Sequence, residues 1–448
     1  MSYLHRALHR IVIVGGGAGG LELATRLGDT LGRKGRAAIT LVDLHPTHVW
    51  KPLLHEVAAG SMDINAHQLD YLAQARWHHF VFCCGALAGL DRVRRELRVG
   101  ALHDATGAEI IPPRTLGYDT LVLAIGSVSN TFNVPGVAEH AYMLDSAPEA
   151  DRFQQRLIKA CAHANYHPSK PGDAPVQLNV VIVGGGATGV ELAAELHNTT
   201  RTLAAYGLTN IDPEHFLNIT LLDAGPRILP MLPERIAAAT ADTLRGLGIA
   251  VHNAEQATQI TANHVMTRSG RSFAADIAVW AAGIRGADIL RDLDGLEANR
   301  INQLVVLPSL QSTRDPDVFA LGDCAACPRD GANTGPGARW IPPAAQAAHQ
   351  QASHLRRTIE RRLQGKPPQP FVYKDFGSLV SLGEYSTVGS LMGFLSGRSM
   401  RVEGLFARLM YLSLYKMHLY ALHGAMGVLL DSLARTLKRG TEPRVKLH

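Results

Sequence analysis

Cysteine is scarce. The five present (Cys83, Cys84, Cys161, Cys324 and Cys327) form no disulfide framework, which fits a reducing cytosol. Cys324-Ala325-Ala326-Cys327 has C-x-x-C spacing, but no second pair accompanies it, so no metal site is expected. The first strand-like run begins by residue 11, so no signal peptide is expected. In the C-terminal stretch the longest segment without a formal charge, 417–430, has 14 residues, short of the ~20 that a spanning helix needs. Nothing is low-complexity. The net charge of +5 is unevenly spread: Arg435, Lys438, Arg439, Arg444 and Lys446 stand against Glu442 alone, a surplus of four within the last 14 residues. That favours a local anionic partner and argues against nucleic-acid binding. At 448 residues and 46% hydrophobic, the chain has length for two or three domains and ample core material.

What the sequence does have is a repeated glycine signature. Gly15-Gly16-Gly17-Ala18-Gly19-Gly20 follows the apolar run 11–14 and precedes a helix-like stretch, 21–31. Gly184-Gly185-Gly186-Ala187-Thr188-Gly189 follows 180–183 and precedes 190–203 in the same way. Both read G-x-G-x-x-G in a strand-turn-helix setting. The first glycine permits the tight turn, the second lets backbone approach a pyrophosphate, and the third lets the helix pack on the sheet. The helix N-terminus then offers unpaired N–H groups to the phosphates. The next strand of each unit ends in an acid, Asp43 and Asp223, suited to accept hydrogen bonds from an adenosine ribose. Asp223 would also repel a 2′-phosphate, which favours NADH over NADPH. Its longer spacing from Gly189 implies a helix extension and loop over 204–217. Two such units imply two dinucleotides and electron transfer between them.

Two further strand-like runs end in small residues, 120–124 before Ile125-Gly126-Ser127 and 277–280 before Ala281-Ala282-Gly283. A third, 318–322, places Asp323 just after a strand. The Pro-rich polar stretch 165–177 reads as a loop. The expected class is α/β, with two Rossmann-like dinucleotide-binding domains and a C-terminal membrane-associating helical region. The expected domains are 1–146 and 304–395 for one nucleotide, 147–303 inserted between them for the other, and 396–448 for docking or dimerisation. Gln346 and Gln350, four apart in a helix opened by Pro342-Pro343, share one face. Apolar segments 405–415 and 419–430 beside the basic tail suit a helix lying in a lipid interface, with the tail drawn to anionic lipid.

Several phrases resemble type II NADH:quinone oxidoreductase, most like the single-subunit form of enteric bacteria. They are the two glycine signatures, Trp50-Lys51-Pro52-Leu53-Leu54-His55-Glu56, Val279-Trp280-Ala281-Ala282-Gly283-Ile284, Ala320-Leu321-Gly322-Asp323-Cys324 and Ala345-Gln346-Ala347-Ala348-His349-Gln350. The resemblance runs from about residue 10 to Lys446-Leu447-His448. It implies a flavoprotein of the pyridine nucleotide-disulfide oxidoreductase type that binds FAD non-covalently, oxidises NADH and reduces membrane quinone without pumping protons. The first signature would then hold FAD through Gly15, Gly17, Gly20 and Asp43, with Asp323 on the ribityl–phosphate region. Lys51, Leu87, Gly126, Ala345 and Gln346 would be further FAD contacts. Gly184, Gly186, Gly189, Asp223, Ala282 and Gly283 would hold NADH. Glu191, read as lying in the first turn of its helix, would sit at the nicotinamide–flavin contact and move protons. Gln346, Gln350 and Lys416 would meet quinone, with Gln346 and Glu191 as the catalytic pair. The family also implies a homodimer on the cytoplasmic face of a bacterial inner membrane, bound peripherally to anionic lipid. Two alternatives stand beside this one. One is a sulfide:quinone oxidoreductase-like flavoprotein using Cys161 with Cys324 or Cys327. The other is a redox-sensing scaffold that binds both nucleotides without turnover.

The charge at Asp223 gives a direct test. Replacing it by Ser with an added nearby Arg is expected to raise kcat/KM for NADPH relative to NADH. Equal kcat/KM for the two nucleotides in the unmodified protein would remove this role from Asp223.

Overall fold

A computed structural model describes residues 8–167, 176–208, 210–329, 339–382, 387–392, 399–438 and 445. Along the chain, β1 (His9–Val14), α1 (Ala18–Leu27) and β2 (Ala37–Asp43) come first, then α2 (Leu54–Ala59), α3 (Tyr71–Trp77), β3 (Val81–Cys84) and β4 (Thr120–Leu123). Next come β5 (Ala141–Met143), α4 (Ala147–Tyr166), β6 (Leu178–Val183), α5 (Ala187–Ala205) and β7 (Leu217–Leu222). They are followed by α6 (Glu234–Gly246), β8 (Ala250–His252), β9 (Ile277–Trp280), β10 (Val318–Ala320) and α7 (Ala345–Arg362). The meander β11 (Gly377–Ser381), β12 (Thr387–Met392) and β13 (Ser399–Glu403) precedes α8 (Gly404–Lys438). Two compact units result. One comprises Met1–Trp50, His67–Val128 and Ile284–Lys374, the other Lys51–Ala66, Ser129–Gly283 and Asp375–His448.

The first unit is built on a five-stranded sheet in the order β10-β4-β1-β2-β3, with every pairing parallel. β1 sits at the centre, in register Ile11↔Ile39 on one side and Ile11↔Thr120 on the other. Residues 11–14 are all buried, as are all four residues of β4. Strands covered on both faces cannot alternate apolar and polar residues, which explains the unbroken Ile-Val-Ile-Val run. The second unit repeats the plan in the order β5-β9-β6-β7-β8, again all parallel. Here the outermost strand, β5, comes from chain ahead of the glycine signature, so the unit begins before residue 147. Its core gathers Val181, Val183, Leu222, Ala278 and Trp280. In both sheets the strand that feeds the glycine turn is central and the order reverses beside it, the switch point where doubly wound sheets bind ligands.

α8 is two helices joined at Gly424, whose φ of 69° and ψ of −179° suit glycine alone. Lys416 Nζ lies 2.9 Å from Asp431 Oδ2. A straight helix would separate residues 15 apart by about 22 Å, so the chain reverses at Gly424. The interfacial helix expected from sequence is thus a helical hairpin. Its second arm presents Met426, Leu429, Leu430, Leu433 and Leu437, each at least 60% exposed, at helical spacing. Among the described residues no helix is long and apolar enough to cross a membrane. The expectations placed on the side chains of 405–414, Arg435 and Lys438, on the tail residues Arg439, Glu442, Arg444 and Lys446, and on 168–175 lie outside the described residues.

Candidate functional site: two glycine cradles and a buried acid

The first cradle is the turn between β1 and α1. Gly15 takes φ +101°, and a Cβ there would meet the Ala124 carbonyl, so the turn passes tightly against the end of β4. A Cβ on Gly20 would lie 1.8 Å from the Gly15 carbonyl oxygen, which fixes how closely α1 packs on its own entry turn. At Gly17, the N-cap of α1, a Cβ would meet nothing within 4 Å, and no side chain caps the helix. The first N–H groups of a helix have no partner within it. Open space in front of them fits a phosphate, as the sequence anticipates.

What holds the turn was not fully legible. Asp43 Oδ2 accepts the Gly16 N–H at 2.6 Å, and Oδ1 accepts the His45 N–H at 2.9 Å. The carboxylate is therefore locked in place with lone pairs to spare for ribose hydroxyls. The Gly16 carbonyl receives Tyr71 Oη at 2.7 Å and His48 Nδ1 at 2.9 Å, both from buried side chains. Burial pushes the His48 imidazole down to about 4, so it is neutral at physiological pH and donates from Nδ1. Neither residue carries a sequence signal.

The same unit brings Gly126 and Asp323 towards this turn. Ala124 N donates to Val14 O at 2.7 Å, and Ser127 Oγ donates to Asp323 Oδ2 at 3.0 Å. Gln303 Nε2 donates to the Asp323 carbonyl at 2.8 Å, and buried Gln351 accepts the Gly322 N–H at 2.7 Å. Leu87 lies in a neighbouring antiparallel sheet, at a bulge two residues past Gly85, whose N–H donates to the Asp43 carbonyl. Ala345 and the half-buried Gln346 open α7, with Ala344 as N-cap; Pro342 and Pro343 stand just ahead of the helix and not inside it. Gln350 spends both ends of its amide on the Lys374 backbone, donating to O at 2.8 Å and accepting from N at 3.0 Å. One Nε2 N–H is left over for a further acceptor.

The second cradle repeats the first. Gly184 takes φ +118°, a Cβ on Gly189 would lie 2.0 Å from the Gly184 carbonyl oxygen, and Gly186 faces open space. Asp223 Oδ2 accepts the Gly185 N–H at 2.6 Å and Oδ1 the Gly225 N–H at 2.7 Å. The supports differ. Leu229 N donates to the Gly185 carbonyl at 2.7 Å from a left-handed conformation, φ 49°. That loop is held by Arg227, whose guanidinium donates to the carbonyls of Leu229, Leu232 and Pro230, each at 3.0 Å. The one arginine close in sequence to Asp223 is thereby committed to backbone. Ala282 and Gly283 follow β9, where Ala281 N donates to Val183 O at 2.8 Å. α5 runs to Ala205, so the long interval before Asp223 is the expected helix extension and loop.

Glu191 is the fifth residue of α5, and no acid stands in that helix's first turn, contrary to the sequence reading. Its position is therefore not owed to the helix dipole, which acts within the first turn. It is 7% exposed, accepts the Ser381 N–H at 3.0 Å on Oε1, and has His55 Nδ1 3.5 Å from Oε2. Desolvation pushes its carboxyl up to about 8, against the Ser381 N–H and with help from Glu56 and Glu195. Burial pushes His55 down to about 4. Near neutral pH the pair is a protonated carboxyl beside a neutral imidazole. The first unit has a counterpart that sequence reasoning passed over. Glu22 stands two residues past Gly20 as Glu191 does past Gly189, is fully buried, and pairs with Arg26 at 2.8 Å and with His349.

Lys51 falls in the second unit, with Nζ 3.4 Å from Asp145 Oδ1, and Lys416 pairs with Asp431 in the C-terminal hairpin. Cys161, Cys324 and Cys327 are free, buried thiols, each pushed up to about 12 chiefly by desolvation. Thiols so far from ionisation are poor nucleophiles and metal ligands. Among the described residues no group of three or more His, Cys, Asp or Glu is placed to hold a metal.

Two cradles of one design, each closed by a strand-end aspartate, define a protein that handles two dinucleotides. The chain belongs to the pyridine nucleotide-disulphide oxidoreductases, matching that family over residues 9–352. Within that class it belongs to the type II NADH:quinone oxidoreductase family. It is 42% identical to the Haemophilus influenzae type II NADH:quinone oxidoreductase, over 98% of this chain and 100% of that one. It is 27% identical to the Staphylococcus aureus (strain NCTC 8325) protein of the same description, over 86% and 90%. Its fold is that of NDH2 from Plasmodium falciparum, solved in complex with NADH (TM-score 0.80, 18% identity, 98% of this chain and 99% of that one). The sulfide:quinone oxidoreductase of Aquifex aeolicus shares the fold less closely (TM-score 0.69, 16% identity, 97% and 96%).

The contrast between Gly17 and Gly20 separates binding from folding. Gly17→Ala adds a methyl to open space, so the protein is expected to fold with near-normal Tm and to retain less FAD. Gly20→Ala drives a methyl into the Gly15 carbonyl and is expected to destabilise the fold as overpacking does, by roughly 1–3 kcal/mol or more, read as a lower Tm. Thermal melts with flavin content measured in parallel check both; a Gly17→Ala protein with full flavin occupancy would remove the phosphate from that space.

Proposed function

We propose that this chain oxidises NADH through non-covalently bound FAD and passes the electrons to a membrane quinone, without pumping protons. The observation that carries this reading is the duplicated cradle: open space before an uncapped helix N-terminus, twice, each with a fixed ribose-ready carboxylate. In this reading FAD occupies the Gly15–Gly17–Gly20–Asp43 cradle with Asp323 and Gly126 at its edge. NADH occupies Gly184–Gly186–Gly189–Asp223, with Ala282 and Gly283 beside it. Bound FAD supplies a ring that accepts hydride from nicotinamide and can be reoxidised by quinone. The chain's own contribution is positioning and exclusion of water. Asp223, fixed by two N–H groups, sets a negative charge where a 2′-phosphate would fall, and three N–H groups of Arg227 are already given to backbone carbonyls. Glu191, neutral at physiological pH and buried, holds a proton beside the reaction. Gln346 offers quinone an uncharged amide, with Gln350 and Lys416 as further quinone contacts; Lys51, Leu87, Ala345 and Gln346 would be further contacts to FAD. The high, desolvated thiols of Cys161, Cys324 and Cys327 speak against a sulfide-oxidising role.

The same reading places the enzyme peripherally on the cytoplasmic face of a bacterial inner membrane. Quinone is lipid-soluble, so it must enter without crossing water. The Met426–Leu437 stripe supplies apolar area, and a basic tail contributes about 1 kcal/mol per residue near anionic lipid. Family resemblance supports a homodimer built with the same region.

Anaerobic mixing with NADH and then a short-chain quinone tests the activity. NADH is expected to bleach the flavin band and quinone to restore it. Gln346→Leu is expected to leave bleaching near normal and to slow reoxidation by roughly tenfold or more, the effect of one lost hydrogen bond of ~1.5 kcal/mol in the transition state. Bleaching that quinone cannot reverse in the unmodified protein would leave the redox-sensing alternative. For the membrane, Leu430→Asp with Leu433→Asp is expected to reduce co-sedimentation with anionic vesicles while NADH-dependent ferricyanide reduction persists. Unchanged sedimentation would take the hairpin out of the docking surface.

A further inference from the structure

The proposed reaction consumes a proton. NADH delivers a hydride, quinol carries two added hydrogens, and the balance is NADH + H⁺ + quinone → NAD⁺ + quinol. One proton per turnover must therefore reach the reaction from water, across a protein interior built to keep water out. Glu191 holds one such proton, and something has to replace it.

The surroundings of Glu191 supply one line outward. His55, 3% exposed, places Nδ1 3.5 Å from Glu191 Oε2, and its other nitrogen, Nε2, lies 4.0 Å from Glu56 Oε1. Glu56 is 26% exposed. Carboxyl, imidazole and carboxyl thus run in series from a side chain that reaches water to one that does not. Neither gap is at hydrogen-bond length, so each transfer needs the ring to turn, and the ring also makes a backbone hydrogen bond with Pro52. The imidazole is held where this works. α2, which carries His55 and Glu56, ends at Ala59, whose carbonyl accepts Thr199 Oγ1 from α5 at 2.8 Å in a buried bond. Glu191 is on the same α5, and β11 closes its far side with the Ser381 N–H at 3.0 Å. Among the described residues, the charged groups that act on Glu191 are Glu56 from α2 and Glu195 from α5. Both are acids, so neither neutralises a charge left on Glu191.

We propose that Glu56 and His55 form a proton relay that reprotonates Glu191 from water during quinone reduction. This rests on the reading of Glu191 as the proton holder beside the reaction. Glu191 releases its carboxyl proton inward and becomes a carboxylate. Glu56, protonated from water, gives its proton to His55 Nε2. The ring, briefly an imidazolium, releases the Nδ1 proton to Glu191 Oε2 and is left protonated on Nε2; loss of that proton and uptake of one on Nδ1, by exchange with water, restore the starting tautomer before the next turnover. One proton enters at Glu56 and one leaves at Glu191; no electron moves.

The test uses the full-length, FAD-loaded enzyme with a short-chain quinone. His55→Gln keeps an amide donor but cannot pass a proton from one nitrogen to the other. It is expected to slow flavin reoxidation at least tenfold while NADH bleaches the flavin at the normal rate. Glu56→Gln is expected to slow reoxidation less, and most at high pH, where water supplies fewer protons. A structural readout stands apart from turnover: the infrared band of the protonated Glu191 carboxyl, identified by its loss in Glu191→Gln. In His55→Leu the carboxylate loses its N–H neighbour, so the pH at which that band is half lost is expected to move up. If Glu191→Gln slows reoxidation but neither the His55 nor the Glu56 variants alter its rate, its pH profile or the band, the relay is wrong and the role of Glu191 stands. If Glu191→Gln leaves reoxidation untouched, the reading beneath the relay fails with it.

Discussion

A carboxylate at the end of β2 accepts the Gly16 N–H at 2.6 Å, and its counterpart at the end of β7 accepts the Gly185 N–H at the same distance. Much else follows from this one bond. The turn it braces begins with a glycine in a backbone conformation that other residues rarely adopt, and such a turn keeps its shape only when its surroundings over-determine it. Once fixed, it aims the first N–H groups of the following helix at open space. It also sets a negative charge beside that space before any nucleotide arrives. In the proposed function the affinity for phosphate and the orientation of ribose would therefore be properties of a preformed site, with little ordering left to cost binding energy.

The two cradles share this bond and differ in almost everything behind it. In the first, the carbonyl of the braced glycine is held by His48 and Tyr71, side chains buried under the turn. In the second it is held by the Leu229 backbone, through a loop that Arg227 pins by three carbonyls. The first arrangement gives a closed support suited to a cofactor that stays. The second draws its support from a surface loop, which spends three N–H groups of the arginine near Asp223 on backbone carbonyls. In the proposed function that difference separates a resident flavin from a substrate that comes and goes.

The buried acids divide similarly. Glu22 is matched by Arg26 and His349, so its charge is compensated, and it ties α1 to α7. Among the described residues Glu191 has N–H neighbours and other acids, and desolvation keeps its proton on. A buried carboxyl that is neutral at physiological pH is costly to ionise and is stored ready to give its proton up. The same offset from the same glycine motif thus yields an ion pair in one half and, in the proposed function, a proton store in the other.

The two parallel sheets, the glycine turns and the strand-end aspartates were legible in the sequence because each is local. Four apolar residues, a glycine spacing and an acid at the next strand's end are consecutive or nearly so, and backbone sterics alone dictate what they form. The match of both halves at Glu22 and Glu191 was legible too, in principle, since each stands two residues past its third glycine. What each acid does was not, because that depends on His55, Glu56 and Ser381 for one and Arg26 and His349 for the other. The same holds along α7. The spacing of Gln346 and Gln350 put them on one face, but only the folded chain showed Gln350 committed to the Lys374 backbone and the unremarked Gln351 holding Gly322. Helical periodicity implied an apolar C-terminal helix; that it reverses at Gly424 was decided by one glycine conformation and by Lys416 meeting Asp431. Sequence determined the backbone frame and the charges available to it. Tertiary structure decided which charges are paired, because pairing, burial and the pKa they set arise only between residues far apart in the chain.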